Sequence, residues 1–262
     1  MADNLQNVGD IHILGYFIIC IVYLIFIMNM NKTTETYHVR FFLFSTFCLQ
    51  LALSMADIYN SPLCSSATDY NKVTIVLLHT IIPWIFILGF GNLLISIFPG
   101  WLRIFSNTIG IRWAYSGSAK KFIEENIKIT DKSVDNKTEY FSLLNKLFVD
   151  PTKLLNEIDI TNIKDDEELH NFYQTKLYNI APEIFKKDGI PPVDNKENTF
   201  LSNTTDNSGN LIPIPMNKLE FNILYVLKSK NEIGYAIWNI LLGVIAVLIS
   251  TNSVINSKCD AV

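Results

Sequence analysis

The chain has 262 residues, of which 49% are hydrophobic and 18% charged, with a formal net charge of −4. That length bounds it to one or two domains. The acidic balance, with a pI of about 5.6, excludes a general nucleic-acid binder, which needs a basic face.

Apolar residues concentrate in four runs, 11–30, 41–56, 73–98 and 233–251, whereas residues 114–232 are rich in Asn, Lys, Asp and Glu. At 1.5 Å rise per residue, a hydrocarbon core of ~30 Å needs about 20 apolar residues, with a range of about 17–25. The first, third and fourth runs reach that length. Run 41–56 reaches it only if the helix extends over 39–59, with Arg40 snorkelling at one end and Asp57 at the interface. Its other reading is a buried or re-entrant helix. The sequence before the first run, MADNLQNVGD, is acidic and polar and leads to no small-x-small cleavage site, so the first run reads as a retained span and not as a signal peptide.

Gln50, His79, Asn92 and Asn239 are the polar residues that stand out inside the four runs. None is an acid or a fixed charge, which predicts interhelical hydrogen bonds in place of an ion pathway. Pro83 removes a backbone donor and predicts a kink or loosening of the third span. Gly89, Gly91, Gly234 and Gly243 mark positions where another helix can approach closely.

Pro99-Gly100 predicts the end of the third helix. Trp101 then suits the interfacial aromatic belt and Arg103 the lipid headgroups. Phe105, Ile109, Ile111 and Trp113 continue an apolar pattern broken by Ser106-Asn107-Thr108. This exit segment either lies on the membrane surface or packs under the polar domain. Trp101, Arg103, Phe105, Asn107 and Trp113 are the candidate contacts with the membrane interface or a protein partner.

Helical spacing continues over 118–129 and 138–149, and Asp150-Pro151 opens another helix with Pro at an allowed first position. A further helix is predicted over 165–185, opened by the acidic run Asp165, Asp166, Glu167, Glu168. Residues 186–215 read as an extended loop with a turn at 206–209. Leu219, Ile223, Val226 and Leu227 then form one face of a helix running into the fourth span. The predicted architecture is an all-α membrane protein of about four transmembrane helices, with a small, mostly helical extramembrane domain between spans three and four. Its segments are a three-span region 1–113, a polar domain 114–232 and a fourth span with tail 233–262.

Lys32 and Arg40 flank one short loop; Arg103, Arg112, Lys120, Lys121, Lys228 and Lys230 flank the large segment 99–232. The positive-inside rule puts both on the cytosolic side. Both termini and loop 57–72 fall on the other face, and with them Cys64 and Cys259, a candidate disulfide; the alternative is two unpaired thiols. Cys20 and Cys48 fall inside spans as small apolar residues. The sequons at Asn31, Asn136 and Asn203 fall on the cytosolic side and are expected to be unmodified.

The sequence contains no phosphate-binding Gly-rich loop, CxxC, HExxH or G-x-S-x-G. His12, His38, His79 and His170 are scattered over different compartments, and Asp57 and His38 fall on opposite faces. No catalytic residue, metal, cofactor or small-molecule substrate is expected. The residues point to a membrane-anchored structural or interaction protein whose partners are the lipid bilayer and other subunits of a larger assembly.

Phe98-Pro99-Gly100-Trp101, followed by Phe105-Ser106-Asn107-Thr108-Ile109-Gly110, resembles a signature of transmembrane minor capsid proteins of large nucleocytoplasmic DNA viruses, including the algal-virus and mimivirus-like groups. The resemblance covers the third span and its exit, and does not extend to the first two spans or residues 114–232. It implies a place in the virion's internal membrane, host-derived and of endoplasmic-reticulum type. The implied role is structural: capsid proteins as partners, membrane fixed to the icosahedral shell, and assembly aided. The competing class is an accessory, non-catalytic subunit of a cellular membrane complex or a small channel. A channel calls for a polar face repeated along a span, and none is seen.

Overall fold

The computed structural model describes residues 2–29, 37–61, 64–126, 151–160, 163, 165–178, 200–214 and 216–257. The predicted helix 138–149, residues 179–185 of the predicted helix 165–185, residues 186–199 and 215 of loop 186–215, Asn31, Asn136 and Cys259 lie outside the described residues. The chain divides into two compact units. One holds Glu35–Trp101 and Ala236–Val262 together with the N-terminal helix, and the other is built on Leu102–Tyr235.

The first unit contains three helices, α1 (Ala2–Asn29), α2 (Tyr37–Asn60) and α3 (Asp69–Ile97), and the C-terminal part of a long helix from Lys218 to Ile255. His38–Asn60, Asp69–Ile97 and Lys218–Ile255 are each long and apolar enough to cross a membrane. Within α1, the stretch Ile11–Ile27 is a shorter apolar helix, at the low end of the about 17–25 residues a span requires. The run that looked short in sequence, 41–56, is thus the middle of a helix of full spanning length. Helix α3 continues through Pro83 and is capped at its start by Thr68, whose hydroxyl accepts from the Asn71 amide at 3.3 Å. It ends at Ile97, ahead of Pro99-Gly100.

The polarity of this unit is inverted relative to a water-soluble bundle. On α1, His12, Tyr16, Cys20 and Tyr23 recur at three- and four-residue spacing and are buried, while Leu14, Phe17, Ile18, Ile21, Val22 and Ile25 are exposed. On α2 the buried stripe is Phe42, Thr46, Gln50, Ser54 and Ile58, with Phe41 and Phe44 outside. On α3 Thr80 and Trp84 face in; Ile82, Ile85, Phe86 and Phe90 face out. Water would penalise such a surface by its apolar area, whereas hydrocarbon penalises only the polar groups, which here lie inside, with Thr46, Gln50, Ser54, Thr251 and His12 joined in hydrogen bonds. At one end of the bundle Ile58, Cys64, Ile75, Val76 and Val254 form an apolar cluster. Cys64 is disulfide-bonded, and Cys20 and Cys48 are free thiols.

The second unit opens at Leu102, within α4 (Gly100–Phe105), and goes on through a π-helical turn (Ser106–Gly110) and α5 (Ile111–Ala114) in one helical run. Helices α6 (Gly117–Asn126), α7 (Pro151–Glu157) and α8 (Asp166–Tyr173) follow, the last continued by a π-helical turn, Gln174–Tyr178. Asp165 caps α8 by accepting from the Glu168 amide at 2.8 Å, as its acidic first turn predicts. Strands β1 (Leu201–Thr205) and β2 (Leu211–Pro213) pair antiparallel. Helix α9 (Lys218–Ile255) closes the order.

The chain is mostly helical as expected, and the hairpin is a small departure from all-α that replaces the extended-loop reading over 201–213. Its turn is organised by Asp206, whose Oδ1 accepts from the Ser208 amide at 2.8 Å and the Asn210 amide at 2.9 Å. Gly209 at φ +81° supplies the left-handed position such a turn needs. The sequence signal for the turn is present; the flanking LSNTT is too polar, and LIP too short, to announce strands.

Candidate functional site

The exit segment is the candidate site that sequence reasoning singled out. In the first unit Phe98 and Trp101 stack with ring centroids 6.0 Å apart, and Trp101 meets Trp238 edge-on at 6.3 Å. Trp101 remains 46% exposed. A half-exposed indole against aromatic neighbours has the geometry of an interfacial anchor.

In the second unit the remaining residues of the segment are held from within. Arg103 pairs with Asp159 at 3.4 Å. Asn107 and Asn156 exchange hydrogen bonds: each side-chain Nδ2 donates to the other's backbone carbonyl, at 3.1 and 3.2 Å. The Asn107 Oδ1 accepts from Lys230 Nζ at 3.2 Å. Lys230, 1% exposed, also donates to the carbonyls of Leu155 and Ile158. One ammonium with three donors therefore meets three oxygens from two separate chain segments, the condition for tolerating a buried cation.

Two glycines let the helices meet. A Cβ on Gly110 would overlap the Lys230 carbonyl oxygen, and one on Gly234 would overlap Ser106 Oγ and its backbone. The π-helical turn falls at this contact. Ser106 and Thr108 donate back to the Leu102 and Ile104 carbonyls at 3.1 and 2.6 Å, an arrangement that loosens regular helix. The motif Ser106–Gly110 is thus a clamp on α9. Of the candidate contacts, the structure engages Asn107 in this clamp, pairs Arg103 with Asp159, leaves Trp101 half-exposed, and places Phe105 and Trp113 half-buried.

A second polar centre, in the first unit, went unseen in sequence. His12 Nε2 lies 2.6 Å from Asp57 Oδ2, with the imidazole 1% and the carboxylate 21% exposed. His12 Nδ1 is 3.1 Å from Gln50 Nε2 and 3.1 Å from Thr251 Oγ1. Gln50 Nε2 also reaches Ser54 Oγ at 3.3 Å and Thr251 Oγ1 at 3.1 Å. Nearby on α3 and α9, His79 Nδ1 is 2.5 Å from Ser253 Oγ. Gln50 and His79 make the interhelical bonds expected of them. In sequence His12 is one of four histidines scattered over different compartments and Asp57 an interfacial residue; only the pairing of α1 with α2 brings them together.

Among the described residues no group of three or more His, Cys, Asp or Glu is arranged to hold a metal ion. The polar centre links α1, α2 and α9 through side-chain hydrogen bonds, and the clamp brings helix backbones into close contact. The chain matches no family model, no curated protein and no solved structure.

Proposed function

We propose that this chain is a non-catalytic, multi-span membrane scaffold: a minor capsid component of a large DNA virus that fixes the virion's internal membrane to the icosahedral shell. The observation that carries the membrane part is the inverted bundle, with Gln50, Ser54, Thr251 and His12 inside and aliphatic side chains outside. The viral assignment rests on the resemblance of Phe98–Trp101 and Phe105–Gly110. In this reading α1 is a fourth span, supported by its apolar outer face and Ile11–Ile27. Residues 99–232 then face the cytosol and the shell, and both termini face the opposite compartment, following the distribution of Lys and Arg.

The clamp supports a load-bearing role. It joins the exit of span three to the helix that becomes the last span through buried, specific contacts, so a pull on the module is shared by two spans. The pairing of Cys64 with Cys259 belongs to the same reading, supported by the disulfide at Cys64 and the free thiols at Cys20 and Cys48. Fractionation tests it. The chain is expected to resist alkaline carbonate extraction and to co-purify with intact particles. Recovery only in cellular membranes that carry no virus would favour the accessory-subunit or channel class.

A further inference from the structure

We propose that the interior of the first unit binds a water molecule in a layer of three hydroxyl side chains, one each from α2, α3 and α9. The layer follows from helical spacing. Ile58 on α2, Val76 on α3 and Val254 on α9 belong to one apolar cluster. Residues four apart share a helix face. One turn from each of the three, in the common direction set by antiparallel pairing, stand Ser54, Thr80 and Ser250, all 0% exposed. Contacts further along keep the same register. Phe47 meets Trp84 edge-on at 5.6 Å, and a Cβ on Gly91 would overlap the Leu242 side chain. Beside the layer, His79 Nδ1 lies 2.5 Å from Ser253 Oγ.

The three hydroxyls are unequally served. Ser54 Oγ accepts from Gln50 Nε2 at 3.3 Å. Thr80 Oγ1 and Ser250 Oγ have no hydrogen-bond partner, and neither has the buried indole Nε1–H of Trp84, one turn along α3 from Thr80. Shutting a hydroxyl away from solvent without a partner is costly, so such groups call for a partner from outside the chain.

The chemistry of that partner follows from the groups around it. Each hydroxyl needs an acceptor for its hydrogen and offers lone pairs, and Trp84 only donates. Water both donates and accepts, and makes about three hydrogen bonds when buried. A cation offers no acceptor, and Asp57, the acid that follows Ser54 on α2, lies 2.6 Å from His12 instead. The side chains of the layer are also smaller than the isoleucine and two valines of the neighbouring turn, as a site for one small molecule requires. On its other side Trp84 and the buried Ala246 close the layer. Water bound there joins α3 to Ser54 and, through it, to the Gln50 and His12 network, so that the polar interior runs through all four helices. The inference needs the helix bundle only and is independent of the viral assignment.

The test is an experimental structure of the full chain at a resolution that shows ordered water, with thermal unfolding of Thr80→Val alongside. The expected result is a density peak about 2.5–3.0 Å from both Thr80 Oγ1 and Ser250 Oγ. Thr80→Val keeps the shape and removes the hydroxyl, which takes a partner from a buried water, and should lower Tm by about 2–4 °C. Ser250→Ala should act likewise, and the double variant should lower Tm by less than the two singles together, since both act through one water. Hydroxyls turned back to carbonyls of their own helices, with no peak between them, overturn the proposal. A Tm that Thr80→Val leaves unchanged or raises overturns it as well, being the result for a hydroxyl that has no partner at all. Pairing of α2, α3 and α9 in another register does so too, by removing the layer.

Discussion

The backbone carbonyl of Lys230 lies against the Cα of Gly110, in the space a β-carbon would fill, while the same lysine's ammonium reaches back to Asn107 Oδ1 at 3.2 Å. One residue of the last long helix is therefore gripped at both its backbone and its side chain by the motif that follows span three.

Gly110→Ala and Gly234→Ala should each destabilise the chain by about 1–3 kcal/mol, because the blocking atoms are backbone or short side chain and cannot swing aside. Gly89→Ala is the control: nothing lies within 4 Å of its Cβ position, and a helical glycine replaced by alanine should gain about 0.5–1 kcal/mol. Thermal unfolding in detergent distinguishes them: the first two lower Tm and the third leaves it unchanged or raised.

Lys230→Met removes a donor shared by three oxygens and strands the carbonyls of Leu155 and Ile158, at a cost of about 1–3 kcal/mol. Asn107→Ala acts on the same network, so the double variant should fall short of the sum of the singles by about 0.5 kcal/mol or more. Strict additivity in denaturant titrations would show that the two residues do not share a clamp.

Asp206 organises the hairpin turn from a fully exposed position. Hydrogen bonds from the backbone of Asn210 and Ser208 hold its carboxyl below the ordinary carboxylate range. A depressed value in the folded state means the turn gains stability above the unfolded value of about 3.9 and loses it as pH falls through the folded one. Exchange of the Ser208 and Asn210 amides, corrected for intrinsic rates, should therefore accelerate as pH falls below the unfolded value of about 3.9, and Asp206→Asn should remove that acid-dependent part.

A non-reducing peptide map should recover Cys64 linked to Cys259, with Cys20 and Cys48 free. Recovery of Cys64 as a thiol, or linked to another cysteine, would break the placement of loop 57–72 and the C-terminal tail on one face.

Much of the helical layout was legible because apolar runs of spanning length and the Pro99-Gly100 break are one-dimensional signals. Gly91, Gly234 and Gly243 proved to be close-approach points, against Leu242, Ser106 and Tyr16 respectively, while Gly89 faces open space. The hairpin escaped notice because three- and five-residue strands carry too little periodicity. The clamp and the polar centre at His12 are hidden for a different reason. Lys230 looked like a topogenic flank and Asp57 like an interfacial residue, and only three-dimensional pairing shows that each is matched inside. Ser54 and Thr251 are too common in apolar helices to signal anything alone.

The orientation can be tested with single cysteines. Asn207→Cys, in the exposed hairpin turn, should react with a membrane-impermeant maleimide added to the cytosolic side of sealed vesicles, and Ser66→Cys only after permeabilisation. The reverse pattern would invert the proposed topology.

Cross-linking mass spectrometry on intact particles tests the membrane-to-shell tie most directly. The exposed lysines of the second unit, Lys120, Lys121, Lys176 and Lys218, should yield links to a shell protein that disappear when the shell is removed and the membrane retained. Particles that contain the chain but give links only within it or to other membrane proteins would contradict the account.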